Sequence, residues 1–239
     1  MASVSEASEA SEAIVLDLAQ QSLREVNDFL HHALTAHQSR KVEILNPAGG
    51  HSIAAGLDAD VEVDVRGHVG YYVAGMNRRA RVTIHGNVGC GVAENMMSGT
   101  VHVKGNASTC AGASGHGGLL IIEGNSSSRC GISLKGMDIV VGGSVGHVSG
   151  FMAQAGRMVI CGDAAAGLGD SLYEAVIYVR GKINGLGADA QAEPMTDDDL
   201  GQVESLLKDA GLPHDPRHFK RVASARNLYH WNADAHQEY

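Results

Sequence analysis

The chain has 239 residues, 31 of them glycine and only ten aromatic, with a charged fraction of 19% and a formal net charge of −9. Its apolar runs are too short for a transmembrane helix, and residues 1–20 lack the basic-then-apolar pattern of a secretory leader. The negative charge argues against a nucleic-acid or anionic-membrane surface, and four cysteines without any CxxC spacing argue for a reducing cytoplasm rather than a disulfide scaffold.

Residues 1–13 (MASVSEASEASEA) are Ser, Ala and Glu apart from Met1 and Val4, and read as a disordered tail. Residues 14–45 follow as an N-terminal strand and helix. Ile14 to Leu18 suit a short extended piece. Ser22-Leu-Arg-Glu25 has the form of a capping box, and Leu23, Val26, Leu30, Ala33 and Leu34 recur at helical spacing, which predicts a helix over about 23–36. Residues 41–45 (KVEIL) alternate like a strand that Asn46-Pro47 and Gly49-Gly50 end.

Residues 46–190 form a glycine-rich unit. Between 67 and 187 lie 26 of the 31 glycines and only 15 charged residues. Gly67, Gly86, Gly105, Gly124, Gly143, Gly162 and Gly181 fall every 19 residues without a gap. Four and two residues before each stands an apolar pair, from Val63/Val65 to Ile177/Val179. Such alternation means a strand with one buried face. A period this short is too tight for a strand-plus-helix unit and too small for a propeller blade. It suits a coil of a parallel β-helix with about three short faces per turn, the repeated glycine supplying a corner at positive φ. Seven such coils span ~29 Å at ~4.8 Å per strand spacing. Asn87, Asn106 and Asn125 follow three successive repeat glycines, as corner residues or as a stacked amide ladder. A core this narrow, built of small β-branched residues, accounts for the scarcity of rings.

Residues 191–239 form a C-terminal helix and docking arm. A linker ends at Pro194, Thr196 caps a helix over about 197–210, and Gly211 with Pro213 closes it. From His214 onward four of the ten aromatics gather without periodicity. Within this arm, Tyr229 and Trp231 are candidate anchors, since rings are favoured at interfaces.

Candidate chemistry is sparse. The histidines show no HExxH or Cys-His finger spacing and occupy different phases of the repeat, which favours surface or structural roles. Cys90, Cys110, Cys130 and Cys161 sit at offsets +4, +5, +6 and −1 from the repeat glycine. They form no single column, unlike the converging thiolates of an iron–sulfur site, and read as small core residues. Glycine patterns such as Gly112 to Gly118 leave no room for the helix of a dinucleotide fold before the next strand. The run Gly142-Gly-Ser-Val-Gly146 has the GxSxG form but falls inside the 19-residue repeat, where the helix of a nucleophile elbow does not fit, and position 2 is alanine rather than a nucleophilic cysteine. One feature does point to function. Ile121, Val140 and Val159 take the outward strand slot on three consecutive coils. An apolar stripe of this kind is covered, either by the chain's own helix near 23–36 or by a partner subunit.

A helix followed by a glycine-paced β-helix of about seven turns resembles the GXGXG domain of glutamate synthases. The likeness is closest over Gly162-Asp-Ala-Ala-Ala-Gly-Leu-Gly-Asp-Ser-Leu-Tyr-Glu-Ala-Val-Ile-Tyr-Val-Arg-Gly181 and at Asn46-Pro-Ala-Gly-Gly-His51, and it extends over residues 14–190. It resembles the free-standing form of that domain, found in the N-methylglutamate synthases of methylamine metabolism. The resemblance implies a mainly β, right-handed parallel β-helix with flanking helices. It implies a scaffold subunit with no catalytic, cofactor-binding or metal-binding residues of its own. The partners would be a class II glutamine amidotransferase-like subunit, bearing the cysteine nucleophile, and a flavin-binding glutamate-synthase-like subunit, bearing FMN and commonly an iron–sulfur cluster. The hetero-oligomer would form N-methylglutamate and ammonia from methylamine and glutamate, with the β-helix holding its partners in register for ammonia to pass. Asp170, Ser171, Tyr173 and Glu174 lie in the family-like segment and join the stripe as interface candidates. Two other readings stand beside this one: a β-helix subunit of a formylmethanofuran dehydrogenase or formyltransferase/hydrolase complex, and a stand-alone β-helix carbohydrate-active enzyme.

Overall fold

The computed structural model describes residues 13–34 and 40–227. Its strands are β1 (Ile14–Asp17), β2 (Lys41–Leu45), β3 (Glu62–Arg66), β4 (Arg81–Ile84), β5 (Thr100–Val103), β6 (Leu119–Ile122), β7 (Lys135–Val141), β8 (Ala155–Ile160), β9 (Val176–Val179), β10 (Ala190–Glu193) and β11 (Lys220–Ser224). They make one sheet in the order β1 to β9, then β11, then β10. Strands β1 to β9 pair in parallel, and β11 is antiparallel to both β9 and β10.

The register reproduces the repeat. Glu62, Arg81, Thr100, Leu119, Asp138, Arg157 and Val176 are successive partners, each one full glycine period after the last. The coil between β2 and β3 is longer, with Lys41 paired to Glu62, and a local bulge between β7 and β8 pairs Lys135 with Ala155 before the step is restored at Asp138 and Arg157. The protein is therefore a β-solenoid of about seven turns. Its core is two apolar columns, running from Val42 to Ile177 and from Ile44 to Val179, one residue of each per coil and all buried.

The rest of each coil departs from the three-faced expectation. A second column is made of single bridges through Val88, Ala107, Ser126, Val145, Ala164 and Ile183. Beyond it the chain rounds the core in an arc where every second residue has positive φ, as at Tyr72, Ala74 and Met76, or Cys110, Gly112 and Ser114. The alternation sends backbone bonds up and down the stack in turn. Gly91 N–H donates to the Thr109 carbonyl at 3.0 Å on the next coil, Ala93 to Val73 at 3.0 Å on the previous one, and Asn95 to Ala113 at 2.9 Å on the next. The arc is bonded between coils without being β, which meets the demand that buried backbone groups find partners.

The repeat glycine also has a different purpose from the expected corner. Of the seven, only Gly67 has positive φ. The others are needed because the previous coil lies against them: a Cβ would meet Asn87 Oδ1 at 2.5 Å from Gly105, and Asn125 Oδ1 at 2.3 Å from Gly143. That close approach lets a side-chain oxygen accept from the residue after the glycine. Asn106 N–H donates to Asn87 Oδ1, Asn125 N–H to Asn106 Oδ1 and Ser144 N–H to Asn125 Oδ1, each at 2.8 Å. Asp163 N–H and Lys182 N–H continue the ladder to Ser144 Oγ and Asp163 Oδ1. The amide ladder forms, its main rungs running from side chain to backbone.

The first helix closes one end. α1 (Leu23–Asp28) carries the capping box of Ser22 and Glu25 and continues as a π-helical turn, Phe29–Ala33. Residues 35 and 36 of the expected helix lie outside the described residues. Val26, Leu30 and Leu34 pack onto the core. Asn27 substitutes for a missing coil: its Nδ2 donates to the Ser52 carbonyl at 2.9 Å and its Oδ1 accepts from Ala54 N–H at 3.0 Å. At the other end, α2 (Asp197–Ala210) is capped by Thr196 and stopped by Gly211 in the left-handed conformation, as its sequence predicts. Among the described residues no helix is long and apolar enough to cross a membrane.

Candidate functional site

The apolar stripe is covered by the chain itself, and by α2. Ile121, Val140 and Val159 are buried in a second cluster with Cys161, Tyr178, Val203, Leu206, Leu207, Ala210 and Phe219. Val203, Leu206, Leu207 and Ala210 repeat at three- and four-residue spacing, one apolar stripe of α2 laid on another. This corrects two expectations. The first helix does not reach the stripe, because it is consumed in capping the solenoid end. The three aliphatics do not present a partner surface, because their apolar area is already removed from water by α2.

One carboxylate anchors the helix. Asp199, nearly buried, accepts from the Tyr178 hydroxyl at 2.6 Å, the Thr196 hydroxyl at 2.6 Å and Arg221 Nε at 3.3 Å. Burial opposes its charge, but the hydrogen bonds from Thr196 and Tyr178 outweigh burial and hold its pKa below the usual carboxylate value. Burial first, then the bond to Asp199, pushes the Tyr178 hydroxyl above its ordinary range, so it stays a donor. Arg221 on β11 also pairs with Glu193 on β10, which ties α2, β9, β10 and β11 together. The sequence offers only part of this network: Asp199 is the third residue after the Thr196 cap, but nothing local marks Arg221 or Asn27.

The family-like segment forms the seventh coil. Asp170 carbonyl and Ser171 N–H bond to Met152 and Ala188 on the neighbouring coils, and Ser171 Oγ donates to Asp170 Oδ1 at 2.8 Å. Tyr173 and Glu174 turn towards the C-terminal edge. There they line a polar cleft of 320 Å³ together with Gln191, Glu193, Arg221 and Arg226. Glu174 pairs with Arg226 at 3.7 Å. The structure thus separates the nominated residues: the stripe is internal, Asp170 and Ser171 sit on the arc, and Tyr173 and Glu174 share the cleft. Tyr229 and Trp231 lie outside the described residues.

The uncovered half of the outer sheet face is polar. His85 lies 2.6 Å from Asp64, and Glu123 accepts from both His102 and Lys104 at 3.0 and 2.6 Å. Arg157 grips Asp138 through two nitrogens at 2.8 and 2.6 Å, at the margin of α2. Burial, with Lys104 nearby, lowers the His102 pKa against the pull of Glu123. Among the described residues no three His, Cys, Asp or Glu side chains converge on a point that would hold a metal ion. Cys130 and Cys161 are buried, and burial pushes both thiols up to about 11. Cys90 is exposed and Cys110 half-buried, so the reading of all four as core residues holds for two.

No family model matches the chain. It is 51% identical over 221 residues to Protein GlxC of Rhizobium meliloti (strain 1021), an alignment that spans 92% of this chain and 97% of that protein.

Proposed function

The chain belongs to the family of Protein GlxC, and from that premise we propose that it is a non-catalytic scaffold subunit of a cytoplasmic glutamate-synthase-like complex of the N-methylglutamate synthase type. It holds an amidotransferase-like subunit and a flavin-binding synthase subunit in register, so that ammonia released on one is used on the other. Its contribution is position: held reactants replace a diffusive encounter. The observation that carries the reading is the placement of the family-like segment. Gly162 to Gly181 forms an outer coil of a rigid stack, and its Tyr173 and Glu174 open onto a polar cleft at the sheet's C-terminal edge. FMN belongs to the synthase partner in this proposal, as does any iron–sulfur cluster, for which the cysteines here offer no converging set of thiolates.

The test is affinity purification of the tagged chain from its native host at mild salt. An amidotransferase-like chain and a flavin-bearing chain are expected to co-purify in fixed ratio, and the assembly to consume methylamine with glutamate. Recovery of formyl-transfer subunits instead would overturn the proposal in favour of the formyltransferase/hydrolase reading. Recovery of the chain alone would remove the scaffold role.

A further inference from the structure

Cys90, Cys110 and Cys130 each fall one position beyond the repeat step, so they lie on a diagonal across three consecutive coils. The backbone fixes the first two. Cys90 carbonyl accepts from Tyr72 N–H at 2.8 Å, Gly91 N–H donates to Thr109 carbonyl at 3.0 Å, and Cys110 N–H donates to Ser128 carbonyl at 3.0 Å. One strand spacing combined with a one-residue offset sets the Cα atoms about 6 Å apart, within the roughly 4.4–6.8 Å that a disulfide spans. Burial, with the Cys90 thiol close by, raises the Cys110 pKa above its ordinary value. Cys90 is exposed and Cys110 borders an open cleft of 350 Å³ with Ser128, Arg129 and His147, whereas Cys130 and Cys161 are buried.

We infer that Cys90 and Cys110 are a redox-responsive thiol pair that closes a disulfide between adjacent coils by exchange with a low-molecular-weight disulfide of the glutathione type. The Cys90 thiol gives its proton to solvent and its sulfur attacks one sulfur of the glutathione disulfide. That S–S bond breaks, and the departing glutathione thiolate takes up a proton. Cys110, likewise deprotonated, then attacks the Cys90 sulfur of the mixed disulfide and expels the second glutathione. Two protein thiols are oxidised and one glutathione disulfide is reduced to two thiols, with no further reactant. The link clamps two coils in the middle of the solenoid, and excess thiol reverses it. This goes beyond the scaffold reading and does not depend on it.

The full chain, reduced and then incubated with oxidised glutathione, is alkylated, digested and mapped by mass spectrometry. The expected product is an intramolecular Cys90–Cys110 peptide pair, lighter by about 2 Da than its reduced parts. Cys130 and Cys161 are expected to alkylate only after denaturation, and dithiothreitol to undo the link. In Cys110→Ser the reaction is expected to stop at glutathione on Cys90, with the reduced variant melting at the wild-type temperature. If that variant melts lower, Cys90→Ser serves in its place and is expected to form no link. Persistent glutathione on both cysteines of the wild type, a link between separate molecules, or no reaction would each overturn the inference.

Discussion

Asp199 shows how one side chain acquires several duties. A carboxylate at the third position of a helix normally closes a capping box. Here it also accepts the Tyr178 hydroxyl and faces Arg221, so its charge is retained in a nearly buried place. Because its pKa is lower folded than unfolded, its contribution is complete above the unfolded value and is lost as pH falls through the folded one. Tyr178→Phe removes one bond to a charged acceptor, a loss on the order of 1.5–3 kcal/mol at neutral pH. Urea unfolding at pH 7 and near pH 3 checks this, and the gap between variant and wild type is expected to narrow in acid. A gap independent of pH would show that Asp199 is not the partner that matters. The repeat glycines teach the same lesson at smaller cost. Their identity is set less by their own dihedrals than by the oxygen of the preceding coil, which occupies the place of a Cβ.

At the scale of elements, the cover over the stripe decides what a mutation there reports. Val140→Asp would bury a charge with no counter-ion beneath Leu206 and Leu207, and is expected to destabilise the isolated chain by several kcal/mol. On the uncovered half of the same face Glu43 already carries a charge, and Thr83 is only partly buried. Thermal unfolding of Val140→Asp beside Thr83→Asp checks the contrast, and equal melting temperatures would detach α2 from the stripe. The elements themselves were largely legible in the sequence. Alternating valines before a spaced glycine identify the sheet, and Thr196 with Gly211 delimit α2 because caps are local chemistry. The pairing of α2 with the stripe was not legible, because both surfaces are apolar at the right spacing and nothing in either names the other. The arc was hidden for a different reason. Its positive-φ positions hold Ser, Tyr, Cys, Arg, Val and Met alike, since the hydrogen bonds to neighbouring coils, not side-chain propensity, hold them there.

The described part of the molecule is nearly one-dimensional: each strand pairs with its neighbours in the stack, α1 packs on the core at one end, and α2 covers part of one face. In such stacks stability accumulates from nearest-neighbour contacts. Amide exchange is therefore expected to be slowest in the central strands around Val101, Leu120 and Ile139, bonded on both sides, and fastest at the edges β1 and β10. Hydrogen exchange followed by mass spectrometry measures this gradient, and uniform protection from β1 to β10 would mean that the solenoid opens only as a unit. Asn27 tempers the gradient at the α1 end, where it fulfils the backbone bonds of an absent neighbour.

The regular step from Glu62 to Val176 carries a consequence for how such a chain changes over time. A single inserted residue would slide one coil against the next, moving inward side chains outward and pulling each asparagine away from its amide. Duplication or loss of an entire coil would leave each ladder intact. Length in this middle region is thus quantised, and the span of the molecule changes in increments of about 4.8 Å. The longer coil between β2 and β3, beside the cap, is where that counting relaxes. A protein so built is a graduated rule, and lineages that need a different separation between its ends can obtain one only by adding or deleting whole divisions.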